Sequence, residues 1–139
     1  MNRRYFWLIG AILWCIAIFI ATASPSSTGS NTQSILIKFF HFTKDEAQIW
    51  NVVFRKCVHL SAFGLLAVLF YKGLQKNRFW FAWLLTTLYA ATDELHQVFI
   101  PERTGAVLDV GIDSLGAFIA LIGVVLLNRK RRERRKVYG

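Results

Sequence analysis

Four apolar runs, each about as long as a helix that crosses a membrane, account for most of this chain. Residues 5–23 carry no charged side chain, and residues 106–127 are interrupted only by Asp109 and Asp113. Residues 79–100 are apolar and aromatic as far as Asp93, while residues 52–70 are apolar apart from Arg55, Lys56 and His59. A hydrocarbon core of ~30 Å takes roughly 20 such residues in a helix. The two prolines, Pro25 and Pro101, fall between the runs and leave the helical pattern unbroken. The pattern predicts an all-α polytopic membrane protein, a four-transmembrane-helix bundle. Its parts are a first span (1–23), an extracytoplasmic loop (24–51), a three-helix core (52–127) and a basic tail (128–139).

The long loop divides in two. Residues 24–34 are polar and predict an exposed, flexible stretch, whereas residues 35–49 mix Ile35, Phe39, Phe40 and Phe42 with Lys38, Lys44, Asp45 and Glu46. That mixture predicts a short amphipathic helix lying on the outer interface, a lid for whatever is beneath it. The N-terminal run, with Arg3-Arg4 before it and Ala21-Thr22-Ala23 at its end, also has the outline of a signal peptide. Its length favours a retained span, because a signal core is usually ~7 to 15 residues.

Charge sets the orientation. Seventeen Lys and Arg against eight Asp and Glu give a formal net charge of +9. With the N-terminus inside, the inner face collects Arg3, Arg4, Lys72, Lys76, Arg78 and the seven basic residues from Arg129 to Lys136. The outer face keeps only Lys38, Lys44 and Arg103. The asymmetry places both termini in the cytoplasm. It also makes most of the positive charge topological, with the tail touching anionic lipid heads, so no nucleic-acid partner is expected. Cys15 and Cys57 lie within different spans and are read as unpaired.

This topology gives the polar groups a depth. His59 is eight residues below Asn51, Glu94 seven below Pro101 and Asp113 eight below Gly105. At ~1.5 Å per residue, all three lie roughly 10 to 12 Å below the outer boundary. Arg55 and His59, Asp93 and Gln97, and Asp109 and Asp113 are each four apart, and Asp93 and His96 are three apart, so each set shares a helix face. Small residues at Ser61, Gly64, Ala90, Ala91, Gly105 and Gly116 would let the helices approach closely. Charged side chains in hydrocarbon cost at least ~2.5 to 3.5 kcal/mol on insertion scales and usually mark function. The candidate site is therefore Arg55, Lys56, His59, Asp93, Glu94, His96, Gln97, Asp109 and Asp113, with Arg103 at its mouth.

Arg55-Lys56-Cys57-Val58-His59 with Phe63, then Ala91-Thr92-Asp93-Glu94-Leu95-His96-Gln97 with Phe99, then Arg103, Asp109-Val110 and Asp113-Ser114-Leu115-Gly116, resemble in order and spacing the motifs of the VanZ-like family. The resemblance covers roughly residues 52–126, with the first span as a lead-in. It implies a bacterial cytoplasmic-membrane protein related to an accessory factor for resistance to the glycopeptide teicoplanin. It does not assign a reaction.

Three readings of the site remain open. Buried ion pairs, Arg55 with Asp93 foremost, would lock helix register. Recognition of a membrane lipid or lipid-linked cell-wall precursor would use Arg55 on a phosphate and the carboxylates on its hydroxyl or amine groups. A hydrolase or transferase acting on such a lipid would use His59, His96, Asp93 and Glu94 as acid and base. No H-E-x-x-H, G-x-S-x-G or P-loop is present, and Ser61 and Ser114 are read as packing hydroxyls. The six acidic and histidine groups are chemically suited to a divalent cation. Without a strong motif, neither a bound metal nor a cofactor is expected.

Overall fold

The computed structural model describes residues 3–23, 29–99 and 107–138, and every regular element in them is an α-helix. In chain order these are α1 (Arg3–Ala23), α2 (Gly29–Phe40), α3 (Lys44–Gly73), α4 (Arg78–Val98) and α5 (Val107–Tyr138). Helices α1, α3 and α5 are long and apolar enough to cross a membrane. Helix α4 equals α1 in length at 21 residues, but its Asp93-Glu94 and His96-Gln97 pairs make it more polar. Length and composition alone thus give three spans rather than the four expected.

The helices alternate in direction. Leu8 of α1 lies against Gly73, Gly10 against Leu69, and the Trp14 indole donates to the Ala62 carbonyl over 2.9 Å, so α1 and α3 are antiparallel. Helix α4 runs with α1, because Tyr89 donates to the Cys15 carbonyl at 2.6 Å and Thr22 reaches Asp93. Helix α5 runs with α3, since Lys56 meets Asp109, Leu60 meets Gly116 and Gly64 meets Ala120 in step. The start of α1 and the end of α5 consequently lie at the same end of the bundle. Lys72 stacks on Trp7 at 4.1 Å and Arg78 on Tyr71 at 4.5 Å at that end, where α5 also carries its run of arginines.

The most extensive packing is between α3 and α5, and it depends on glycine. A Cβ on Gly116 would sit 2.7 Å from the Leu60 carbonyl oxygen, and one on Gly64 would sit 3.3 Å from the Ala120 Cβ. Ala90 is fully buried as well, whereas Ser61 and Ala91 face outward and Gly105 lies outside the described residues. Apolar packing forms two clusters, Ala11, Ile18, Phe63, Leu66 and Ala90 in one, and Ala67, Tyr71, Ala82, Ala117 and Leu121 in the other. Around them the exterior is strongly apolar, with Ile12, Val58, Leu88 and Ile119 exposed. The buried set includes Thr22, Asn51, Thr86, Asp93, Glu94, Gln97 and Asp113. An apolar outside around a polar inside is the arrangement of a membrane protein.

The loop before α3 differs from expectation. Residues 29–34 are helical, as the first half of α2, and the expected surface helix over 35–49 is split: α2 stops at Phe40, and residues 44–49 belong to α3. Thr43 is the reason. Its hydroxyl accepts from the Glu46 backbone N–H at 3.4 Å while its own N–H donates to the Glu46 carboxylate at 2.9 Å, a reciprocal cap that starts a new helix at Lys44. His41, at φ 55°, makes the break in left-handed conformation. At the other end, the basic tail continues α5 without interruption through Tyr138.

Candidate functional site

Three helices deliver one acidic or imidazole side chain each to a common point. Glu94 of α4 and Asp113 of α5 are buried, His59 of α3 is half-buried, and one donor atom from each lies within 4.8 Å of the other two. These are the three residues that the depth count places at one level. The His59 Nδ1 is 3.5 Å from the Asp113 Oδ2. The other oxygen of Asp113 is buried without a hydrogen-bond partner among the described residues, in a side chain only 1% exposed.

Asp93 turns to a different neighbour. Its Oδ1 accepts from the Thr22 hydroxyl of α1 at 2.7 Å and its Oδ2 from the Gln97 amide at 2.9 Å. The same amide lies 3.4 Å from Glu94 Oε1, so Gln97 links the two carboxylates one turn along α4. Thr22 is the site residue that sequence reasoning missed. Its sequence context reads as part of an A-x-A pattern, although a lone hydroxyl closing an uncharged apolar run is a signal for an inward hydrogen bond.

The cations behave unlike the expectation. The pairing of Arg55 with Asp93 is not formed, because Asp93 sits on the α1 side of α4 with both oxygens engaged. Lys56 makes the interhelical ion pair instead, 2.5 Å from Asp109 Oδ1, with both side chains partly exposed at 42% and 34%. Arg55, half-buried one turn before His59, has no hydrogen bond or ion pair among the described residues. His96 points away from the group, its ring 4.4 Å from that of Phe19 on α1. Arg103 and the 101–105 connector lie outside the described residues.

Neighbouring contacts hold the frame. Ser114 and Thr87 share a hydroxyl hydrogen bond of 2.9 Å, and the Trp83 indole donates to the Ser114 carbonyl at 3.2 Å, tying α4 to α5. Ser114 is thus a packing hydroxyl, as its sequence context implies. Both cysteines are free, with Cys57 exposed on the outer face of α3 rather than packed. Chemically, the arrangement combines two buried carboxylates and an imidazole, with Arg55 one turn before that imidazole on α3. It can bind a cation, donate and accept protons, or grip a ligand that carries both an anion and donor groups.

Comparison with known families matches the model described as VanZ/LLP1 over residues 6–128. That match takes in α1 with Thr22 and the whole polar group, and so extends beyond the 52–126 stretch carrying the motifs. No curated protein and no solved structure matches the chain.

Proposed function

The chain belongs to the VanZ/LLP1 family, and from that premise we propose that it recognises a phosphate-bearing lipid or lipid-linked cell-wall precursor from the outer leaflet of a bacterial cytoplasmic membrane. In this reading α4 also crosses the membrane, as the third of four spans, both termini are cytoplasmic, and the polar group around His59, Glu94 and Asp113 opens outward. Occupying or altering the headgroup there would contribute to resistance to glycopeptides such as teicoplanin. The alternating helix directions support four crossings, and the concentration of Arg and Lys at the end holding both termini supports their placement inside.

The observation that carries the reading is Arg55. Charges used only to lock register would be paired, as Lys56 is with Asp109. An arginine that is half-buried one turn before His59 and makes no ion pair among the described residues suits bidentate capture of a phosphate. The carboxylates then take the hydroxyl or amine groups of the same headgroup.

Two variants test this. Arg55→Met should accumulate normally in the membrane yet abolish the protection against teicoplanin that the wild-type chain confers on a sensitive host. The paired change Lys56→Met with Asp109→Asn should retain that protection. Full protection by Arg55→Met at normal abundance, or no protection by the wild type, would overturn the proposal. Reporters fused after residue 139 and within 24–28 check the topology, which requires inside and outside respectively.

A further inference from the structure

We propose that His59, Glu94 and Asp113 form a binding site for one divalent transition-metal ion of the zinc class, set between α3, α4 and α5. The proposal rests on side-chain geometry and uses the same carboxylates as the headgroup reading, with the ion in place of the headgroup's hydroxyl or amine groups.

The first observation is the convergence of donors. One imidazole and two carboxylates, brought by three separate helices, lie within 4.8 Å of each other in a bundle whose exterior is apolar. Donors held at ~2.0 to 2.2 Å from a shared tetrahedral zinc are about 3.4 Å apart. The His59 to Asp113 separation of 3.5 Å already has that value. It is long for a charge-assisted hydrogen bond, which closes to ~2.7 to 2.9 Å. Glu94, on a flexible side chain, closes the set by moving toward the other two.

The second observation is independent of the clustering. Asp113 is 1% exposed, yet among the described residues its Oδ1 has no hydrogen-bond partner and no Lys or Arg pairs with it. A buried carboxylate oxygen left unsatisfied costs more than the ~1 to 3 kcal/mol typical of a neutral group. Burying a second carboxylate, Glu94, beside it adds like-charge repulsion. A dication removes both costs at once. Among the described residues Lys56 does not do so for Asp113, being paired with Asp109.

The donor set selects the metal class. Imidazole suits zinc, iron or nickel over magnesium and calcium, and carboxylates exclude a preference for copper(I). Three protein donors leave a fourth position open, the pattern of reactive rather than purely structural zinc sites. Gln97, donating toward Glu94 Oε1 at 3.4 Å and to Asp93 at 2.9 Å, is the positioning residue that orients Glu94 toward the ion.

The test uses the full chain, purified from membranes in detergent and stripped with chelator. Added Zn2+ should bind at one ion per chain and raise the unfolding temperature, and Co2+ should give the visible absorption of a four-coordinate site. Asp113→Asn and Glu94→Gln should abolish binding, Gln97→Ala should weaken it ~10- to 100-fold, and Ser61→Ala, on the outward face of α3, should leave it unchanged. Should Asp113→Asn fail to accumulate, Glu94→Gln and the wild-type cobalt spectrum decide. The proposal is overturned if the stripped wild type neither binds Zn2+ stoichiometrically nor shifts its unfolding temperature, or if Glu94→Gln binds as tightly as wild type. Metal content is read without glycopeptides, so it stands or falls separately from the resistance phenotype.

Discussion

Gly116→Ala tests whether the α3–α5 contact sets the geometry of the site. The added methyl would lie 2.7 Å from both the Leu60 carbonyl oxygen and Cγ and 3.1 Å from its Cα. Leu60 Cγ can rotate aside, but the carbonyl oxygen and Cα belong to the backbone of α3, so relief requires the two helices to part by several tenths of an ångström. Overpacking of this kind costs ~1 to 3 kcal/mol. Gly→Ala inside a helix also returns up to ~1 kcal/mol of propensity, which would mask the loss if the variant were compared with wild type alone. Gly123→Ala supplies the correction, since a Cβ there meets nothing within 4 Å on the same helix. The difference between the two variants should be ~1 to 3 kcal/mol, or roughly 5- to 150-fold in an unfolding equilibrium, measured by denaturant titration in mixed micelles. His59 adjoins Leu60 and Asp113 is one turn from Gly116, so the 3.5 Å separation should widen as well. Equal stabilities within ~0.5 kcal/mol would refute the close helix contact and the argument that glycine fixes the spacing of the site.

Three further outcomes follow from particular contacts. Thr22→Val keeps the shape of the side chain but leaves Asp93 Oδ1 without its donor, and should cost ~1 to 3 kcal/mol in the same titration, with Thr22→Ser close to wild type. Lys56→Met combined with Asp109→Asn should change stability by no more than ~1 kcal/mol, because the pair is partly exposed. Thr43→Ala removes one half of a reciprocal cap and should cost ~1 kcal/mol, read as faster amide hydrogen exchange confined to the first turns of α3.

Long-range arrangement was legible in this sequence where spacing and depth combine. Counting residues from the expected boundaries placed His59, Glu94 and Asp113 at one level, because in a membrane every helix is measured from the same two planes. Which charges would pair was not legible. A helical face spans a wide arc, and α4 turns Asp93 toward α1 while Glu94, one residue on, faces α3 and α5. A stretch of sequence that reads as one polar face therefore splits between two neighbours. The α2–α3 break does have a local signal: Thr43-Lys44-Asp45-Glu46 is a capping-box pattern, set among apolar residues that suggest one continuous helix. The part played by α1 had almost no signal beyond Thr22.

Helix α5 runs unbroken from Val107 to Tyr138, so the carboxylate at Asp113 and the arginines near the C-terminus ride on a single rod. One residue inserted between them would turn the basic tail by ~100° relative to Asp113. Sliding the rod would carry Asp113 past His59 by whatever distance the tail travels. The chain therefore has a continuous shaft between its carboxylate cluster and its basic end, with one helix carrying both.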